Sequence, residues 1–261
     1  MNSPYFSHNS SEELKIIQRR DYNLNPGEVL EYILNKGFLE DEKRFIEIFW
    51  FSVDIYEKSS LRFSGEKYTQ HPLRMLMKGT DLGFRNQTLA EIKIAHDVTE
   101  KLREESHHFS NPHKLENQIK KLFSEHYHHV ETITPPQDGT PKDKQLEEIL
   151  RTSTSFSSVK IDNGYIKMKL PTILSVPLCI ISKVYDIDDN GYDQRKYKPN
   201  GINAKLKQIK LIREYLQKEM LSFNMVAGSF QNHLHGFPPN LITILNALLD
   251  NAEYNLNKIP K

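Results

Sequence analysis

The sequence predicts an all-α fold, a single helical bundle with one polar insertion. Apolar residues recur at three- and four-residue spacing in several separate segments, which is the period of a helix with one buried face. The longest apolar-rich stretch fails to alternate as an amphipathic strand would. Helix-start signals stand where such segments begin: Pro72 after His71, Thr88 with Glu91, and Pro238-Pro239-Asn240.

Taken in order, residues 1 to about 25 are polar and irregular, and 27–40 read as a short helix with Val29, Leu30, Ile33 and Leu34 on one side. From Glu42 to Ser59, the run R-F-I-E-I-F-W-F-S-V-D-I-Y has nine apolar residues in thirteen, which predicts a deeply buried helix with Trp50 in the core. Arg62–Gln70 is a loop punctuated by Ser64-Gly65, where glycine admits backbone angles closed to other residues. Pro72 is favoured at the first position of a helix, so His71 is placed at a helix N-terminus, with Leu73, Leu76, Met77 and Thr80 following at helical spacing to Gly83. The Thr88/Glu91 pair reads as a capping box that starts a helix near Leu89 and carries it through His96, Asp97 and Glu100. A further helix follows with Leu115, Ile119, Leu122, Phe123, Val130 and Ile133 on one face.

Residues 134–165 are rich in Pro, Lys, Asp, Ser and Thr and read as an insertion between helices, with a small β-hairpin expected at Asn163-Gly164. The apolar run Leu170–Ile181 reads as a buried helix leading to Asp186. Residues 202–221 read as a helix whose polar face, with Lys205, Lys207, Lys210, Arg213 and Lys218, is expected in solvent. A last helix turns Leu241, Ile244, Leu245, Leu248 and Leu249 inward. The chain thus divides into an N-terminal extension, 1–41, a site-bearing domain, 42–221, and a C-terminal helical extension packed on it, 222–261.

Composition narrows the function. The chain has 261 residues, 38% hydrophobic and 26% charged, enough for a real core. Thirty-five basic against thirty-four acidic residues leave a net charge of +1, so nothing requires nucleic acid or an anionic membrane as partner. Cys179 is the only cysteine, in an apolar context that suits a packed thiol and a reducing compartment. There is no signal-peptide pattern at the N-terminus and no apolar run long enough to span a bilayer, so a cytoplasmic protein is expected.

Chemistry concentrates between Arg62 and Lys101. On one continuous helix of about 100° per residue, Asp97 lies ~100° and Glu100 ~40° from His96, so all three share a quadrant bordering the apolar side. His71, His96 and Asp97 make two imidazoles and a carboxylate reaching inward from two helices, a divalent-metal arrangement short of one ligand. Asp186 in K-V-Y-D-I-D-D-N is the candidate for that ligand, with Asn190 one turn on. Each of these residues alone reads more readily as a satisfied polar group under the surface; together they suit Mn2+, Fe2+, Co2+ or Zn2+ better than Ca2+. Asp186, Asp188, Asn190 and Gly191 match the first half of a calcium loop, but Tyr197 stands where a bidentate glutamate closes such a shell.

The motifs R-x-S-G-E-x-Y-x-x-H-P-L, L-G-F-x-x-Q-T, A-x-x-H-D-V-x-E and K-x-x-D-x-x-x-N occur in this order, and over roughly residues 42–220 the chain resembles the hydrolase domain of RelA/SpoT proteins and their small stand-alone relatives. The resemblance implies an HD-domain bundle and a Mn2+-dependent 3′-pyrophosphohydrolase of the guanosine alarmone (p)ppGpp. By the same resemblance His71, His96, Asp97 and Asp186 bind the metal, Glu100 orients or deprotonates water, and Arg62, Ser64, Tyr68 and Asn190 line the nucleoside pocket. Lys101 stands where the family has an aspartate, a change that weakens catalysis, moves the proton-transfer role or adds a phosphate-binding charge. Ile187, Asp188 and Asp189 replace the family's Arg-Leu-His.

Overall fold

A computed structural model describes residues 23–62, 64–127, 177–191, 201–203, 205–214, 216–217, 237–238 and 240–258. The insertion at 134–165 with its expected hairpin, Val130 and Ile133, Lys218 and the side chains of Phe123 and Cys179 lie outside the described residues. Among the described residues there are helices and no strand. They form α1 (Pro26–Leu34), α2 (Glu42–Lys58), α3 (Gln70–Asp81), α4 (Gln87–Ala95), α5 (Val98–Glu104), a short 3-10 turn at Ser106–His108, α6 (Pro112–Tyr127), α7 (Pro177–Asn190) and α8 (Leu241–Asn257), with residues 205–214 also helical. No helix among them is long and apolar enough to cross a membrane.

The centre of the bundle is the antiparallel pair α3 and α4, joined across residues 82–86. Gly83 makes the turn possible. It holds φ at +88°, a left-handed conformation that side chains with a Cβ resist, while its N–H donates to the Thr80 carbonyl at 3.1 Å and the Phe84 N–H donates to the Gly79 carbonyl at 3.1 Å. Each helix of the pair is apolar on two sides, so it separates two cores. Leu73, Leu76, Met77, Ala90 and Ile94 face α1, α2, α5 and α6, while Met75, Leu89 and Ile92 face α7, α8 and the helical segment at 205–214.

Several expectations are corrected by this packing. Asn86, not Thr88, caps α4, accepting from the Leu89 N–H at 2.9 Å; Glu91 is occupied by Arg44 at 2.5 Å and by Gln87 at 2.8 Å. Helix α3 begins at Gln70, so Pro72 takes its third position; a proline there still gives up only an amide that has no acceptor within the helix. Helix α2 is not buried all round. Glu47, Trp50 and Asp54 form a solvent stripe, and Trp50 is 44% exposed rather than in the core, its ring packed edge-on against Phe49. Lys205 is also not on a solvated face: it is 6% exposed, whereas Lys207 and Lys210 are in water as expected. The calcium-loop match fails because Asp186, Asp188 and Asn190 all lie on α7, where a loop of oxygens cannot wrap an ion.

Helix α1 belongs to the core, although it falls in the N-terminal extension read from the sequence. Asn25 caps it, accepting from the Gly27 N–H at 2.8 Å, and Val29, Leu30 and Ile33 are buried with Phe45, Phe49 and Leu73. Replacing Ile33, which has no exposed surface, by alanine is expected to destabilise the whole protein by about 2–5 kcal/mol in chemical denaturation. A change below about 0.5 kcal/mol would mean that α1 is a detachable appendage.

Candidate metal centre

The antiparallel pairing of α3 and α4 brings the start of one helix beside the end of the other, and so sets His71 against His96 although 25 residues separate them in sequence. Each imidazole is fixed through its Nδ1. His71 Nδ1 lies 2.7 Å from Asp189 Oδ2, and His96 Nδ1 lies 2.9 Å from the Lys93 carbonyl oxygen. A carboxylate and a carbonyl only accept, so both Nδ1 atoms carry the proton and donate. In the neutral form of each ring Nε2 then presents a lone pair, and the two Nε2 atoms face each other at 3.1 Å.

Asp97 completes a group of three whose ligand atoms lie within 4.8 Å of one another, all buried. Its Oδ2 is 3.3 Å from His96 Nε2 and 3.9 Å from His71 Nε2, and accepts from the Tyr68 hydroxyl at 2.7 Å. Its Oδ1 is buried without any hydrogen-bond partner among the described residues. Helix α7 delivers Asp186, whose Oδ1 lies 3.4 Å from His71 Nε2 and accepts from Asn190 Nδ2, while its Oδ2 accepts from Lys183 at 2.5 Å. Neutral rings with their lone pairs aimed at each other beside a buried carboxylate that has one oxygen without a donor are costly, and a cation between the rings and Asp97 relieves that cost. The donor set of two imidazoles and carboxylates fits a first-row divalent metal.

The local fold that presents these groups differs from the single helix expected through His96 and Glu100. The backbone breaks at His96–Asp97, and α5 restarts at Val98. Tyr56 of α2 bridges the break: its hydroxyl donates to the Ile94 carbonyl at 2.9 Å and accepts from the Asp97 N–H at 3.3 Å. Two backbone groups that would be orphaned by the break are thereby satisfied. Glu100 falls in the first turn of α5, half-buried, and its charge helps to push the Tyr68 hydroxyl up, after burial and Asp97.

The expected pocket residues converge on the same spot. The turn closed by the Gly65 N–H on the Arg62 carbonyl at 2.8 Å, with Gly65 at φ +83°, turns Arg62 inward. Arg62 donates to Asn190 at 2.6 Å and to Glu66 at 3.1 Å, and its guanidinium lies 5.8 Å from the centre of the Tyr68 ring. Its fork is therefore spent on protein acceptors. Ser64 lies in the same turn, half-buried. Lys101 Nζ sits 4.1 Å from the centre of the Tyr68 ring and 3.0 Å from Glu105, so this cation rests on the ring that touches Asp97.

Sequence reasoning missed the groups that hold these residues. Arg74, one turn beyond His71 on α3, binds Asp189 through Nε and Nη2 at 2.7 and 2.9 Å and Glu66 through Nη1 and Nη2 at 2.8 Å each. Its position three residues after a candidate ligand histidine was the available signal. Lys183 was visible only as a letter in a motif, Lys205, whose charge also lowers Asp186, read as part of a solvated face, and Tyr56 gave no signal.

Charge inside the site is balanced by these partners. Burial alone would raise the Asp97 carboxyl, but His96 and His71 hold it below the usual carboxylate range. Burial would likewise raise Asp186 and Asp189; Lys183 and His71 hold the first, and Arg74 and His71 the second, well below it. For His96, burial opposes the charged form, but Asp97, Asp186 and the Lys93 carbonyl outweigh it and raise the imidazole above its ordinary value of 6.5.

No family model matches the chain, nor does any curated protein or any solved structure.

The raised imidazole fixes a pH signature. A group whose folded value exceeds its unfolded value adds stability below the unfolded value and loses it as pH rises through the folded one. The metal-free protein is therefore expected to melt at progressively lower temperature as pH rises from 6 through the raised His96 value, and the rise in Tm produced by Mn2+ is expected to grow over the same interval. A metal-induced shift that shrinks with rising pH would contradict the site.

Proposed function

We propose that the protein is a metal-dependent phosphohydrolase that removes the 3′-pyrophosphate of a guanosine alarmone, (p)ppGpp, leaving GDP or GTP and pyrophosphate. The observation that carries the reading is the facing Nε2 pair of His71 and His96 with the donorless Oδ1 of Asp97, set directly against Arg62, Tyr68 and Asn190. The four ordered sequence motifs supply the choice of substrate, and the same resemblance selects Mn2+ among the metals that the donor set admits.

His71, His96, Asp97 and Asp186 would hold the ion, which supplies Lewis-acid polarisation of a phosphoryl oxygen and a source of hydroxide at neutral pH. The other tasks fall to the chain. Tyr68 donates to Asp97 and fixes which carboxylate oxygen stays open. Lys93, through its carbonyl, holds His96 in the tautomer that leaves Nε2 free. Glu100, in the first turn of α5, is the base that takes a proton from attacking water. Water adds to the phosphorus attached to the 3′ oxygen, the bond to that oxygen breaks, and the 3′ oxygen leaves as a hydroxyl with the proton that Glu100 took from the water. Lys101, held on the Tyr68 ring, meets the negative charge of the departing diphosphate.

Lys101 also supports a second reading, an HD-type site that acts on a different nucleotide or binds one without turnover, because it replaces an acid of the family pattern. Incubation of the purified protein with Mn2+ and ppGpp, with product analysis beside a panel of ordinary nucleotides, separates the two. The first reading predicts GDP and pyrophosphate, reduced to background in His96→Ala/Asp97→Ala. No turnover of ppGpp by metal-loaded protein would overturn it; a gain of turnover in Lys101→Asp would identify a decayed site.

A further inference from the structure

A metal-binding imidazole must present one nitrogen in one orientation, and the structure gives the two histidines different means of doing so. His96 is tied to the backbone of its own helix, three residues back. His71 stands in the first turn of α3, and the group that it binds comes from another helix, 118 residues away. That group, Asp189, sits on α7 next to Asn190 and three residues after Asp186, yet its carboxylate does not join the metal-facing set. Both of its oxygens are used elsewhere: Oδ2 takes His71 Nδ1 at 2.7 Å and Arg74 Nη2 at 2.9 Å, with Arg62 Nη1 at 3.4 Å, and Oδ1 takes Arg74 Nε at 2.7 Å. Arg74 is in turn gripped from its other edge by both oxygens of Glu66 at 2.8 Å.

We infer that Asp189 is a positioning residue for the centre: it holds His71 in the Nδ1–H tautomer with Nε2 turned toward His96, and Arg74 and Glu66 form the clamp that holds Asp189. A fork of two parallel N–H···O bonds fixes both the place and the plane of a carboxylate, which a single bond cannot do. Hydrogen bonding of the distal ring nitrogen is the general means by which proteins orient metal-binding histidines. The arrangement also assigns a role to an acid standing where the related pattern has a histidine. It accounts as well for the fate of the two arginines nearest the site, which are spent on Asp189, Glu66 and Asn190 and so serve architecture instead of substrate phosphate.

The inference rests on the metal-centre reading for its consequence, though not for its geometry, and two readouts separate them. Ring-nitrogen NMR of the metal-free protein reports the tautomer of His71 directly. Wild type is expected to carry the proton on Nδ1, and Asp189→Ala to shift it wholly or partly to Nε2. Calorimetric titration with Mn2+ is expected to show affinity weakened by about 10- to 100-fold in Asp189→Ala, with Asp189→Glu restoring part of the loss. Should the loss of Arg74's Asp189 partner prevent Asp189→Ala from folding, the Arg74→Ala/Asp189→Ala double variant removes both charges and is measured in its place. An unchanged His71 tautomer, or Mn2+ affinity equal to wild type in the folded variant, would overturn the inference. Failure of His71→Ala to weaken Mn2+ binding would instead overturn the metal-centre reading, leaving the tautomer result to decide the role of Asp189.

Discussion

Two imidazole nitrogens face each other at 3.1 Å inside this protein, and much of the structure around them exists to keep them there. Left alone, the rings would rotate, exchange a proton or separate. They are prevented by a carboxylate on one and a backbone carbonyl on the other, both of which accept only. The buried Asp97 and Asp186 lie beside the pair and Asp189 behind His71; Lys183 offsets Asp186, while Arg62 and Arg74 offset Asp189. A buried polar network of this density is stable only when its members are satisfied, and Asp97, whose Oδ1 has no partner among the described residues, is the carboxylate beside the two rings.

The architecture follows from that requirement. A tight left-handed turn at Gly83 folds α4 back along α3 and aligns the start of one with the end of the other. The two apolar cores on either side then fix the remaining ligands. The first core carries α2, whose Tyr56 hydroxyl stabilises the break that turns Asp97 into the site; the second carries α7, which delivers Asp186, Asp189 and Asn190 from a single helix end. Helices α7 and α8 are tied further by Asp188, which accepts from Asn251 at 2.7 Å and pairs with Lys78 of α3. The acids of D-I-D-D-N thus face three different partners, as a helix requires and a calcium loop forbids.

The sequence made the helical class and the converging residues legible because both are local signals. Periodicity located α2, α3 and α8, and the starts of α1 and α4, to within a few residues, and the residues singled out at His71, His96, Asp97 and Asp186 are groups that the structure brings within 4 Å of one another or of a shared neighbour. What it could not convey was anything decided between distant segments. The break at His96–Asp97 depends on a tyrosine some forty residues earlier, Glu91 abandons its capping role because Arg44 reaches it from α2, and Lys205 is buried where its own helical pattern reads as solvated. Trp50 misled in the opposite sense, since an apolar run gives no sign of which residue will face water. The clamp of Glu66, Arg74 and Asp189 joins three segments, and no single stretch of sequence contains its logic.

The central claim is that the facing imidazoles enclose a divalent cation, and anomalous diffraction from crystals grown with Mn2+ tests it most directly. The account predicts one strong peak bounded by Nε2 of His71 and of His96 and by the carboxylates of Asp97 and Asp186. Crystals in which Mn2+ binds elsewhere, while the two rings stay in contact around a shared proton, would contradict it.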